Sequence, residues 1–430
     1  MNCEKSRCLQ WGVAAMCIMF AQGAAAAAAQ TSVRPMTAVA PDDGLTLDTA
    51  IRRALSASPL TAVGNARREA LEASRDAAAL KPQPTVEIMA ENFGLPMGAL
   101  YDQFQITGTY SQRIERGAKR GARVELVNSD IGVVEAEALI ARLDLIKLVQ
   151  EGFVEAQATE AKVAVARERL RVAHELRREV GRRMASAKDP IFAGTRAQTG
   201  VSEAEADLEL AIHYRDAALK RLATLWDGAP ARSVADADRF LDVQAVPSAA
   251  PSPADLAIFE ARRMRALSSV ALQRANAERD LTVSAGPRIL ASGSLGAVAG
   301  VSVPLGGRRL GQARVAEAQA EGRRIDAELA VERFNRERAI ALAAEKVEES
   351  RHEVELIRGS VLDNAEKTLE QVRFGYNRGF FSFADVSAAQ VTLVNARARI
   401  IDAAERYHRA KAELDRLTGR FTNLAREAVQ

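Results

Sequence analysis

Gln103-Phe104-Gln105-Ile106-Thr107-Gly108-Thr109-Tyr110 decides the fold, because its side chains change character at every step. In an extended chain Phe104, Ile106, Gly108 and Tyr110 share one face, and Gln103, Gln105, Thr107 and Thr109 share the other. Upstream, Thr85 to Phe93 is a partner strand, although Glu87 and Glu91 interrupt its apolar character. Gly94-Leu95-Pro96-Met97-Gly98 between the two is turn chemistry. Lys81-Pro82-Gln83-Pro84 ends a helix expected over Leu45 to Leu80, since proline cannot continue one. Thr46 or Asp48 is placed to cap its start.

The layout occurs twice, at a period of roughly 190–200 residues. Ala122-Arg123-Val124 recurs as Ala313-Arg314-Val315, Lys220 to Leu225 in Lys411 to Leu417, and Ser58-Pro59 as Ser252-Pro253. The second copy has a helix over Ala254 to Arg279 and strands over Leu281 to Leu290 and Leu295 to Val303. In the last of these, Ala297, Ala299, Val301 and Val303 form one face. After each strand pair comes a long helical region, Gly117 to Trp226 and then Gly311 to Leu417. Apolar residues recur every seven positions, as in Leu139, Ile146 and Phe153, and in Ile340, Val347, Val354 and Val361. Sevenfold spacing marks coiled-coil-like packing. One break falls around Ser186-Ala187-Lys188-Asp189-Pro190, the other around Tyr376 to Ser382, so each region is a helical hairpin.

The domain reading is therefore a secretory signal over 1–29, a linker over 30–43 and a first repeat over 44–230. A linker over 231–252, a second repeat over 253–419 and a tail over 420–430 follow. Lys5 and Arg7, the apolar run Trp11 to Phe20, and small residues from Ala24 to Ala29 give the signal its three parts. The apolar run is shorter than the roughly 20 residues of a spanning helix. Met16 stands where lipidation of Cys17 needs a small residue. All three cysteines, Cys3, Cys8 and Cys17, lie in this leader, and its removal takes disulfides and thiol chemistry with it. The 59 basic and 56 acidic residues nearly balance, which excludes a nucleic-acid binder recruited by bulk charge.

Four short strands with an apolar face are too few to close a membrane barrel, whose smallest examples have eight. An open sheet in lipid leaves unpaired edges. Either several subunits pool their strands, three copies giving twelve, or the sheet is half-buried against helices in a soluble protein.

The order of helix, strand pair and helical hairpin, repeated behind a signal, resembles the TolC-type outer-membrane factors. Glu91-Asn92-Phe93-Gly94 and Gln112-Arg113-Ile114-Glu115-Arg116-Gly117-Ala118-Lys119-Arg120, read as following the second strand, are similar to the CzcC-like heavy-metal branch. Tyr376-Asn377-Arg378-Gly379 with Ser382-Phe383-Ala384-Asp385-Val386 resembles the family's most diagnostic stretch. The implied fold is mainly α with a small β part, a trimer forming a 12-stranded barrel above an α-helical periplasmic tunnel. The implied function is the exit duct of a tripartite system in the outer membrane. Its partners are outer-membrane lipid, a periplasmic membrane-fusion adaptor and an inner-membrane RND pump, and its cargo is divalent cobalt, zinc and cadmium. Drugs, copper or silver, or a type I secreted protein are the other cargoes of such a duct. An exported structural coiled coil is the reading of a different class.

The resemblance places Asp385 on an acidic ring at the periplasmic entrance and Tyr376 on a gate tyrosine. The family's gate arginine falls on Phe381, and its further acidic position on Ala388. Asp385 equally suits the first turn of a helix, where a carboxylate meets the positive helix end. Lys188, Asp189, Pro190, Gly379, Phe380 and Ser382 are candidate adaptor contacts at the tips. Phe104, Ile106, Tyr110, Val301 and Val303 are candidate barrel-strand residues. Arg116, Lys119, Arg120, Arg308 and Arg309 follow the strand pairs, either near lipid headgroups or as ordinary solvated charge. No P-loop or catalytic constellation is present, and no cofactor or bound metal is expected. The histidines are scattered along the helices as surface or packing residues, and His408, near Asp402 and Glu405, is placed to attract a cation weakly.

Overall fold

The computed structural model describes residues 44–57, 59–92, 104–247, 250–305 and 307–427. The expected signal over 1–29, the linker over 30–43, Phe93, the turn Gly94 to Gly98 and Gln103 lie outside the described residues.

The expected single helix Leu45 to Leu80 is two helices, α1 (Leu47–Ala57) and α2 (Pro59–Ala78). Pro59 opens the second because it has no amide hydrogen to give the preceding turn. Thr46 is the cap, its Oγ1 accepting from the Thr49 amide at 3.2 Å, while Asp48 holds Arg52 at 2.8 Å.

Strands β1 (Thr85–Glu91), β2 (Gln105–Ile114), β3 (Leu281–Leu290) and β4 (Leu295–Ser302) form one antiparallel sheet in the order β1-β2-β3-β4. The two repeats thus share a sheet, joined where β2 meets β3. Phe104 and Val303, expected within the strands, each fall one residue outside the observed ones. Pairing of β2 starts at Gln105, opposite Glu91, and Pro304 follows Val303 without an amide hydrogen to extend the ladder. Conversely, Gln112, Arg113 and Ile114 are the end of β2, because Val283, Thr282 and Leu281 pair with them.

The register sorts the side chains. Val86 faces Tyr110, which faces Ala285, which faces Ala299; Ala90 meets Ile106, Ile289 and Leu295 in the same way. This face is apolar on all four strands and uncovered, with Val86 73% and Ile88 76% exposed on β1, and Leu295 76% and Val301 69% on β4. The opposite face carries Thr85, Glu87, Glu91, Gln105, Thr107, Thr109, Ser111, Ser284 and Arg288. Glu87 and Glu91 therefore belong to a polar face and do not breach the apolar one. Arg288 Nε donates to Thr107 Oγ1 there at 3.0 Å. At the centre, a Cβ on Gly286 would stand 1.7 Å from the Gly108 carbonyl oxygen, so only glycine allows these strands to approach.

Below the sheet run α3 (Lys119–Ala185), α4 (Ile191–Ala223), α5 (Pro253–Ala277) and α6 (Arg308–Leu356). A π-helical segment (Ile357–Leu362), α7 (Asp363–Arg378), α8 (Phe383–Thr418) and α9 (Thr422–Glu427) complete the chain. Helix α3 is 67 residues of unbroken α-helix, about 100 Å at 1.5 Å per residue. It packs on α4 in the first hairpin, and on α8 of the second. Ile340, Val347 and Val354 are buried as the sevenfold spacing requires, but Val361 is 37% exposed. The π segment supplies the reason: its wider turn adds a residue, and the seam passes from Ile357 to Leu362, Ala365, Leu369 and Tyr376.

Residues 231–247 are strapped down along their length. Leu45 and Val234 form a parallel bridge, Phe240 is buried, and Tyr407 Oη donates to the Gln244 carbonyl at 2.6 Å. Where sheet becomes helix, the buried Asp280 accepts from Lys119 Nζ (2.7 Å), Arg113 Nη2 (2.5 Å) and the Arg116 amide (3.1 Å). Burial pushes its carboxyl up, but these donors outweigh that and bring it down to about 2.

Candidate functional site

The two hairpin tips meet at one cluster. Helix α3 ends in a Schellman motif: the Ala187 amide donates to the Met184 carbonyl (2.9 Å) and the Lys188 amide to the Arg183 carbonyl (2.9 Å). Ala187 takes the left-handed conformation, φ 56°, that this motif requires. Helix α7 ends the same way, with Gly379 at φ 84°, its amide on Tyr376 and that of Phe380 on Gly375. This turn directs Asp189 back toward Tyr376, whose Oη donates to Asp189 Oδ2 at 2.5 Å.

Arg183, which the sequence reading passed over, closes the cluster. Its Nε and Nη2 reach the Asp189 carboxylate at 3.0 and 3.2 Å, and its Nη1 donates to the Tyr376 carbonyl at 2.7 Å. The guanidinium also lies 4.3 Å from the centre of the Tyr376 ring. Arg183 and Asp189 side chains are only 11% and 10% exposed, and Tyr376 is buried. Burial alone would raise the Asp189 carboxyl, but hydrogen bonds from Arg183 and Tyr376 hold it below its ordinary value. Burial, and then the bond to Asp189, push the Tyr376 hydroxyl well up. The cluster therefore ties the first tip to the second through one ion pair, one hydroxyl donor and one ring stack. The signal was a cation in the last turn of a helix, where it suits the negative end. Its partners lie in two separate stretches that no spacing rule connects.

The remaining tip residues divide. Lys188, Pro190, Gly379, Phe380 and Ser382 are exposed, and Phe380 is joined by exposed Ile191 and Phe192. Asp189, expected among the outward contacts, points inward because Arg183 and Tyr376 claim its carboxylate. Phe381, at the family's gate-arginine position, packs back on α7: a Cβ on Gly375 would meet its ring at 2.3 Å. Asp385 caps α8 in a reciprocal box, accepting from the Ser382 amide (2.8 Å) and hydroxyl (2.7 Å) while the Asp385 amide donates to Ser382 Oγ. These bonds hold its exposed carboxyl below the ordinary value.

His408 is not a cation site. It stacks on Phe240 at 4.9 Å with Nε2 against the Phe240 carbonyl, and burial lowers its basicity. Lys162 takes both Asp402 (2.8 Å) and Glu405 (3.8 Å). Among the described residues no group of three or more His, Cys, Asp or Glu is placed to hold a metal, and no helix is long and apolar enough to cross a membrane.

A four-stranded sheet with an uncovered apolar face, above two long packed hairpins, is the protomer fold of the TolC-like channels. VceC of Vibrio cholerae superposes with a TM-score of 0.64 at 19% identity, over 87% of this chain and 96% of that one. CusC superposes at 0.67 and 16%, over 86% and 91%. Residues 246–420 match the family described as outer membrane efflux protein. The cobalt-zinc-cadmium resistance protein CzcC of Cupriavidus metallidurans is 27% identical over 318 residues, 71% of this chain and 75% of CzcC. The nickel and cobalt resistance protein CnrC of the same organism is 27% identical over 279 residues, 62% of this chain and 66% of CnrC. The second half of the chain thus resembles the outer membrane efflux protein family, and the relatives it is similar to are named for heavy-metal resistance.

Proposed function

We propose that this chain is the exit duct of a metal-efflux system, acting as a homotrimer in the outer membrane. The observation that carries this is the sheet, apolar and exposed on one face, polar on the other, with one unpaired edge on β1 and one on β4. In lipid such edges must be closed. Joining β4 of one subunit to β1 of the next closes three sheets into twelve strands, with Glu87, Glu91, Arg288 and the Thr and Ser rows lining a wet lumen. The helical hairpins then continue that lumen as a tunnel through the periplasm. Residues 1–29 act as the export signal, and 44–230 and 253–419 as the two repeats of one protomer.

The chain supplies the path and no driving force. A periplasmic adaptor grips the tips through Lys188, Pro190, Ile191, Phe192, Phe380 and Ser382, and an inner-membrane proton-driven pump provides the energy. The Asp189–Tyr376–Arg183 cluster keeps the two tips together and the mouth narrow until the adaptor binds. Asp385 serves both its helix and, repeated three times around the axis, an entrance favouring cations. The cargo is a divalent cation, in keeping with the cobalt, zinc, cadmium and nickel in the relatives' names.

Fractionation tests the duct: the protein is expected in the outer membrane and, in detergent, as a trimer. A monomer that stays in solution without detergent overturns it. Growth of a deletion strain on zinc, cadmium, cobalt, nickel and copper tests the cargo, and unchanged tolerance to all five removes the metal assignment.

A further inference from the structure

The helix-side end of the sheet carries charge in a pattern that the duct reading leaves unused. Lys81 leads into β1, Arg116 follows β2, Arg279 leads into β3, and Arg308 and Arg309 follow β4. Every strand thus has an exposed cation at this end, and none of the five forms an ion pair among the described residues. Further down the helices, Arg171, Arg324 and Arg351 each hold two glutamates. Of the nearby carboxylates, Glu115 is held by Arg123 and Asp280 is buried with Lys119, which leaves one exposed carboxylate, Glu278. At the opposite end the connections 92–104 and 291–294 contain no Lys or Arg at all.

We propose that this fringe binds the phosphates of anionic phospholipid headgroups in the leaflet facing the helices. The inference rests on the barrel reading above. Strands of seven to ten residues rise about 23–33 Å, the height of a bilayer's apolar band, so the cations begin where hydrocarbon ends. Leu305, 90% exposed, and Leu310 sit among them, which suits an amphipathic boundary and not open water. Guanidinium groups match phosphate in geometry and charge, and one fringe from each of three subunits makes a closed ring. The positive ends of α3 and α6 point the same way, but the exposed cations at the same end of all four strands carry the case.

The test uses full-length mature protein in a neutral detergent, titrated with phosphatidylglycerol or phosphatidylcholine, with bound lipid counted by native mass spectrometry. The wild type is expected to prefer phosphatidylglycerol. Arg308→Gln with Arg309→Gln, and then Arg116→Gln and Arg279→Gln in addition, are expected to weaken that lipid by about fivefold per charge removed. Phosphatidylcholine binding and an Arg324→Gln control stay unchanged, and added salt weakens the wild-type preference. Equal affinity of the wild type for both lipids, or a preference that survives the four substitutions, overturns the proposal while the trimer seen in the same spectra keeps the barrel. Should the fourfold variant fail to assemble, the Arg308/Arg309 pair and the salt series decide. A monomer throughout overturns the barrel reading and this one together.

Discussion

The first hairpin reaches its tip on one uninterrupted helix of 67 residues, whereas the second descends through α6, six π-helical residues and α7. Their tips use the same Schellman turn, but Ala187 occupies the left-handed position in the first and Gly379 in the second. The second tip restarts with a full capping box, and the first with Pro190 and no capping side chain. The first hairpin is thus a straight strut with a strained end, and the second a jointed arm with a relaxed one. The π segment marks the joint, since it is the one break in regular α winding between α6 and α7. The Asp189–Tyr376–Arg183 cluster fastens arm to strut.

Breaking the fastening gives the largest expected effect. Asp189→Ala leaves the Arg183 guanidinium without its carboxylate in a mostly dry position, at a cost of up to about 3–5 kcal/mol. Thermal unfolding should fall accordingly, and single-channel conductance in a planar bilayer should rise as the arm swings free. Conductance equal to that of the wild type would detach this cluster from gating. Tyr376→Phe removes only the hydroxyl donor and is expected to cost about 1 kcal/mol by the same melt.

Proton titration probes the same contact. Because Asp189 is held below the ordinary carboxylate value, its contribution is complete above roughly pH 4 and declines as pH falls through its native value. Conductance should therefore be flat from neutral to mildly acidic pH and climb only in stronger acid. An increase already near pH 6 would assign the latch to some other group.

The joint itself can be removed. Deleting Gly359, which is exposed and meets nothing on its Cβ side, should return the segment to α-helix without rotating the flanking seams. Circular dichroism and melting are expected to hold or improve while pump-dependent metal export falls. Loss of folding would show that the wide turn is structural and not a hinge. Smallest of all, Ala187→Gly should relieve the left-handed strain and stabilise by about 1 kcal/mol, and Gly379→Ala should cost about as much. Equal melts for both would mean that the two tips are not strained differently.

Much of this architecture was legible because strands and seams advertise themselves by period. β3 appears with the bounds read from the sequence, and Ile106 and Tyr110 stand on the apolar face where alternation put them. Glu87 and Glu91 looked like flaws until their register against Thr109 and Gln105 was known, because facing is fixed by pairing and not by one strand alone. Val361 was misplaced because a sevenfold count assumes constant winding, and one π turn resets it. Of the site, Tyr376 was visible through family resemblance, whereas Arg183 was not. Asp189 was seen as a tip residue but its inward turn was not, since that follows from the left-handed Ala187 two residues earlier.

One consequence follows from the knot around Asp280. It draws the end of β2, the first turn of α3 and the head of β3 to a single carboxylate, and so welds the two repeats at the neck of the molecule. A neck clamped in this way cannot pivot, so any swing of the second arm must be absorbed further down, below its π turn. If the proposed duct opens at its tips, the wall in the bilayer would stand still while the far end moves, and its widening would be a bending of its legs from a fixed collar.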